Sequence, residues 1–250
     1  MPYNFYMIDM GNICEHAGSA SAHLDYDHYN REERYLCSHL FRLLHEPKDD
    51  YAVLRKFTGG VPEITDFRIF AEVALIRDAY HVRKANPFDY MDSIVRMVAG
   101  QEQVTDYRSY SGLPEELRTP HLTHPRQILQ KGGDILTADE KKIYGSLQGM
   151  FNAKPDLAIC CGQELFVYEA KWTLGFDSEQ LRRTENIAAI WAKLLYRDLG
   201  FSAEPVVKVK KLGLKKFEPD VSWEELYAIA CDVYPESDRS RKALAQAIIN

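Results

Sequence analysis

The chain has 250 residues, 46% of them hydrophobic and 27% charged, with a formal net charge of −6. That size and apolar content suit a globular protein with a sizeable core, and no repeat or low-complexity stretch interrupts it. The charge excludes a protein coated in positive charge, although a polyanion needs only a local basic face.

Apolar runs such as Ala188-Ala189-Ile190-Trp191-Ala192 stop far short of a membrane span, and the start, Met1-Pro2-Tyr3-Asn4-Phe5, has no basic region followed by a hydrophobic one. The expectation is a cytoplasmic protein without membrane contact. Cys14, Cys37, Cys160, Cys161 and Cys231 form no CxxC pair and no zinc spacing, and so read as reduced thiols.

In chain order, a first helix is expected over about 29–44, with Leu36, Cys37, Leu40, Phe41 and Leu44 as its apolar stripe and His45-Glu46-Pro47 as its stop. A short strand is expected at Tyr51 to Phe57, closed by Gly59-Gly60. Helical patterns follow over about 66–84 and 88–98, separated by Asn86-Pro87. The stretch from Thr105 to Gly133 reads as loop with at most one short helix. Thr137-Ala138-Asp139-Glu140 is a capping box that opens a helix to about Phe151.

The period then changes. Asp156 to Cys161 and Glu164 to Trp172 read as two strands joined by Gly162-Gln163, a two-residue loop whose leading glycine suits a type II′ turn. Ser178 is expected to cap a helix over about 179–199, and Pro205 to Leu212 reads as a strand parallel to its predecessor. Ser222-Trp223-Glu224-Glu225 caps a helix through about Val233, and a last helix occupies about 240–249.

A two-residue turn at Gly162-Gln163 sets Asp156 directly opposite Glu169, on one face, with Cβ atoms about 4.5–5.5 Å apart. Two like charges there repel unless a cation lies between them. Lys171, two residues beyond Glu169, projects from the same face. The rest of both strands is mostly apolar, as in a sheet interior. A few oxygen ligands suit Mg²⁺, with Mn²⁺ as a substitute, and such an ion polarises a phosphodiester and activates water. Lys171 would position or deprotonate that water, or stabilise the phosphate as a cation; the residues alone leave these roles open.

Lys154-Pro155-Asp156 followed by Glu169-Ala170-Lys171 resembles the PD-(D/E)xK, or restriction-endonuclease-like, nuclease superfamily. The resemblance covers about 137–212 and the helix at 29–44. It implies an α/β fold: an αβββαβ core with a mixed central sheet flanked by helices. It also implies Mg²⁺-dependent cleavage of DNA leaving 5′-phosphate ends, and metal ligation by Asp156, Glu169 and the Ala170 carbonyl. The first core strand would come from Tyr51–Phe57 or Met150–Lys154. On this reading residues 1–250 form one nuclease domain, with a mostly helical insertion over about 60–133 and C-terminal helices over about 222–249.

Further candidates flank this centre. Glu33 falls on the buried stripe of the first helix, where the family often places a glutamate at the metal; the alternative is a first-turn acid favoured by the helix dipole. Gln180 lies on the inward face of its helix with Thr184, Ile187 and Trp191, where related nucleases often carry a glutamine; it is a candidate to orient water or phosphate, against an ordinary polar first-turn residue. Arg182 and Arg183 are candidate phosphate contacts, against ordinary solvated arginines. Lys208 and Lys210, with Lys211, Lys215 and Lys216, would track a nucleic-acid backbone or protect an edge strand. His121 and His124 read as surface histidines. A non-catalytic module of the same fold and a nuclease acting on RNA stay open as alternatives, as does a homodimer.

Overall fold

The computed structural model describes residues 33–60, 66–82, 87–99, 117, 124–172 and 175–249, all within one compact unit. Its elements run α1 (Glu33–Leu44), α2 (Lys48–Thr58), β1 (Phe67–Ala71), α3 (Leu75–Val82), α4 (Pro87–Ala99), α5 (Pro125–Lys131), α6 (Ala138–Asn152), β2 (Leu157–Cys161) and β3 (Glu164–Ala170). Helix α7 (Ser178–Leu194), β4 (Val206–Gly213), a 3₁₀ turn (Lys215–Phe217), β5 (Val221–Ser222), α8 (Trp223–Val233) and α9 (Arg239–Ile249) complete it. The fold is α/β: a five-stranded mixed sheet in the order β1-β2-β3-β4-β5, with helices on both faces. Pairs β1-β2 and β2-β3 are antiparallel, and β3-β4 and β4-β5 are parallel.

Strands β2 and β3 are buried along almost their whole length, which explains their continuous apolar runs. Alternation still divides them. Ala158, Cys160, Leu165 and Val167 join α3–α7 in one core, whereas Leu157, Ile159, Cys161, Phe166 and Tyr168 join α1, α2, α8 and α9 in the other. The turn between them has Gly162 at φ 60° while Gln163 keeps a negative φ, the signature of the expected type II′ hairpin. The capping boxes at Thr137/Glu140 and Ser222/Glu225 both form.

Several local expectations are corrected. Tyr51 to Phe57 is not a strand but most of α2, whose buried Val53, Leu54 and Phe57 follow helical spacing. The helix expected over 66–84 is strand β1 followed by α3. The first strand of the sheet therefore lies inside the segment expected to be a mostly helical insertion, and neither Tyr51–Phe57 nor Met150–Lys154 is a strand. Helix α7 is capped by Asp177, which accepts from the Glu179 amide at 3.0 Å, rather than by Ser178, and it ends at Leu194. Phe41, expected on the buried stripe of α1, is 39% exposed, and Leu43 takes the inward place. No helix among the described residues is long and apolar enough to cross a membrane.

Candidate active site

The β2-β3 ladder pairs Leu157 with Tyr168, so its continuation sets Asp156 against Glu169, as the turn predicts. Asp156 immediately precedes β2, and the β2-β3 backbone ladder does not extend to it. The Lys171 amide donates across to Leu212 of β4 at 2.8 Å, so the amide of Ala170 faces the β2 side. There the Asp156 carboxylate accepts it, Oδ2 to N at 2.8 Å. A side chain thus takes over where the ladder runs out, and it ties Asp156 to the central residue of Glu169-Ala170-Lys171.

Glu169 is 6% exposed, on the face that also carries Leu165 and Val167. A buried carboxylate is costly unless its oxygens are satisfied. Three donors converge on it. Lys171 Nζ lies 3.2 Å from Oε1, the Gln180 amide donates to the same oxygen, and Thr184 Oγ1 donates to Oε2 at 3.1 Å. Gln180 and Thr184 sit one turn apart on α7, so a single helix face serves the glutamate. The backbone of Lys171 is held as well: its carbonyl accepts the Trp223 indole N–H of α8 at 2.9 Å. Gly213 of β4 passes so close that a Cβ there would stand 3.0 Å from the Phe176 ring and 3.4 Å from the Lys171 oxygen.

A further acid stands at the same level of the sheet. The β1-β2 register ends at Ala71–Leu157, and the next pair is Glu72 and Asp156, joined by the Glu72 amide donating to the Asp156 carbonyl at 3.3 Å. Glu72, Asp156 and Glu169 therefore occupy neighbouring register positions on three consecutive strands.

Glu72, Thr184 and Trp223 are not singled out by the sequence motifs. Thr184 is legible as part of the inward face of α7. Glu72 is hidden by the misread strand that carries it, although the aromatic and β-branched run Phe67-Arg68-Ile69-Phe70 is a strand signal.

The remaining candidates divide. Gln180 is brought onto Glu169. Glu33 opens α1, and its side chain lies outside the described residues, as does His121. Arg182 and Arg183 are exposed on α7, Arg183 being ion-paired with Glu179. Lys208 and Lys210 are not brought to the site. Their register partners are Phe166 and Tyr168, which face the core opposite to that of Glu169, and Lys208 pairs with Glu164. Lys211 is the β4 residue in register with Glu169, and its ammonium donates to the Glu218 carbonyl at 2.9 Å. His124 caps α5 by accepting the Arg126 amide at 3.2 Å, and burial, then the charges of His81, Arg126 and Arg77, lowers its pKa.

Among the described residues no group of three or more His, Cys, Asp or Glu side chains is gathered closely enough to hold a metal ion. The two carboxylates of Asp156 and Glu169, hard-oxygen groups in opposed register, are nonetheless of the chemistry that a hard divalent cation takes. In the arrangement seen, Lys171 supplies the positive charge that such an ion would bring to Glu169. No family model, no curated protein and no solved structure matches the chain.

Proposed function

We propose that the protein is a metal-dependent nuclease of the PD-(D/E)xK type that hydrolyses phosphodiester bonds of DNA. The observation that carries this reading is the convergence of Lys171, Gln180 and Thr184 on one buried glutamate beside Asp156, where β2 begins. A structural role would not need such an arrangement, because buried ionic groups seldom stabilise a fold better than apolar residues of the same shape. The chain order of β1, β2, β3, α7 and β4, with helices before β1, also supports a restriction-endonuclease-like core.

Asp156 and Glu169 would hold Mg²⁺, or Mn²⁺ in its place, with the Ala170 carbonyl completing the protein ligands. When bound, that ion supplies Lewis-acid polarisation of the phosphate and a bound water of lowered pKa. The chain's own residues do the rest. Asp156, bonded to the Ala170 amide, fixes the spacing between the strand ends. Lys171 holds its ammonium at the carboxylate and, with substrate present, turns that charge toward the attacking water or the phosphate oxygens. Gln180 and Thr184 keep Glu169 in one orientation.

The test incubates supercoiled, linear and single-stranded DNA, and RNA, with purified protein and Mg²⁺, beside EDTA and Asp156→Ala controls. Cleavage of DNA that needs the metal and Asp156, leaving 5′-phosphate ends, is the expected result. Equal cleavage by the variant, or none on any substrate, overturns the proposal; cleavage of RNA alone would move the substrate class.

A further inference from the structure

The helix that serves Glu169 has a second working face. Gln180 and Thr184 point to the carboxylate, whereas Arg183, Asn186, Ile187, Ile190 and Lys193 of α7 line a groove of about 770 Å³ shared with α4 and α6. That size suits an extended organic ligand rather than a lone ion.

The wall has a definite chemistry. Arg96, Arg183 and Lys193 contribute positive charge, and no carboxylate among the described residues lines the groove. Arg96 and Arg183 are each ion-paired with an acid one turn away on their own helix, Asp92 and Glu179, which orients them. Lys193 is exposed and has no ion pair among the described residues. Between these cations lie Met97, Met150 and Ile187, two thioethers and a branched aliphatic chain, half-buried and packed on the core. Arg183 and Lys193 are ten residues apart on one helix, about 15 Å at the rise of an α-helix.

A chain of phosphates carrying flat apolar bases complements these features. Cations spaced along a helix track a backbone, and soft side chains pack against base faces without reading sequence. The groove stripe begins at Arg183, the residue next to Thr184, which donates to Glu169.

We propose that this groove between α4, α6 and α7 is the track of a single nucleic-acid strand, its phosphates held by Arg96, Arg183 and Lys193 and its bases resting on Met97, Met150 and Ile187. The inference rests on the nuclease reading for its substrate class, and it adds a surface that would hold that substrate on the helix that also serves Glu169.

Binding is measured in the Asp156→Ala background, where cleavage does not interfere, as the fluorescence anisotropy of a labelled oligothymidylate titrated at several salt concentrations. Arg183→Ala with Lys193→Ala is expected to weaken binding by about tenfold or more. It is also expected to flatten the slope of log affinity against log salt by about 1.4, since each phosphate neutralised on a single strand contributes about 0.7 and the variant neutralises two fewer. Lys131→Ala with Lys242→Ala, two exposed cations outside the groove, is expected to change neither. Both substituted groove residues are exposed, so thermal melting should be unaltered.

Unchanged affinity and salt slope in the groove variant overturn the proposal, as does an equal loss in the control pair. The two readings fail separately. Groove-dependent binding without any cleavage by the wild-type protein removes the nuclease and leaves the track. Asp156-dependent cleavage with groove-independent binding does the reverse.

Discussion

Replacing Lys171 by methionine removes the ammonium and keeps most of the side-chain volume, which isolates the charge that Glu169 depends on. Lys171 Nζ and Glu169 Oε1 are 3.2 Å apart, with the two side chains only 14% and 8% exposed. At an effective dielectric constant of about 20 that separation corresponds to about 5 kcal/mol of attraction, before the cost of desolvating both groups. Breaking a buried pair from one side costs about 3–5 kcal/mol, because the remaining charge is stranded. Gln180 and Thr184 still donate to Glu169, so about 3 kcal/mol is expected. For a chain of this length that lowers Tm by about 6–12 °C.

Adding Glu169→Gln removes the stranded charge, and the double variant should regain about 2 kcal/mol, or about 4–8 °C. Mg²⁺ should substitute for the missing ammonium. At about ten times its Kd it would return about 1.4 kcal/mol to Lys171→Met and almost nothing to the double variant. Circular-dichroism melts of the four proteins, with and without Mg²⁺, give the full cycle. A Lys171→Met protein that melts at or above the wild-type temperature, or a double variant no more stable than Lys171→Met, refutes the claim that Lys171 holds the buried carboxylate.

Thr184→Val deletes a hydroxyl that donates to a buried carboxylate; a loss of about 1.5–3 kcal/mol is expected in urea unfolding, with Thr184→Ser recovering most of it. Trp223→Phe removes the donor at the Lys171 carbonyl, and the expected result is about 1 kcal/mol of stability together with roughly a tenfold drop in kcat for cleavage at nearly constant KM. His124 has a pKa below the ordinary histidine value because burial, and then neighbouring positive charge, disfavours its protonated form. The unfolded chain therefore takes up the proton first, and stability falls as pH drops below about 6.5. Protonation also removes the Nδ1 acceptor that caps α5. Denaturant midpoints between about pH 7.5 and 5.5 should fall less steeply for His124→Asn, whose amide oxygen still caps the helix; identical slopes would mean that His124 does not set this pH dependence.

The sequence disclosed most where one local rule settles a long-range relation. Glycine at the first position of a two-residue turn fixed the hairpin register, and with it the opposition of Asp156 and Glu169 and the placement of Lys171. Helical phase placed Gln180 and Thr184 on the inward face of α7. Legibility failed where tertiary packing erases the periodic signal. Strand β1 is apolar toward both cores, Phe70 on one side and Phe67 and Ile69 on the other, so it shows no alternation and its spacing mimics a helix. Glu72 went unseen with it. The run Tyr51 to Phe57 misled in the opposite way, since its β-prone residues carry a helical stripe that appears only once Val53, Leu54 and Phe57 are known to be buried. The face occupied by Lys208 and Lys210 depends on the parallel register of β3 with β4, which no turn between them specifies.

The proposed chemistry requires Asp156 and Glu169 to share one divalent cation at the start of β2. Titrating the protein with Mn²⁺ and following the free-ion electron paramagnetic resonance signal measures that site directly, in wild type, Asp156→Asn, Glu169→Gln and Lys171→Met. The expected result is one Mn²⁺ bound per chain in the wild type, displaced by excess Mg²⁺, retained in Lys171→Met, and lost in both carboxylate variants. Equal Mn²⁺ binding by all four proteins, or none by the wild type, would contradict a shared cation.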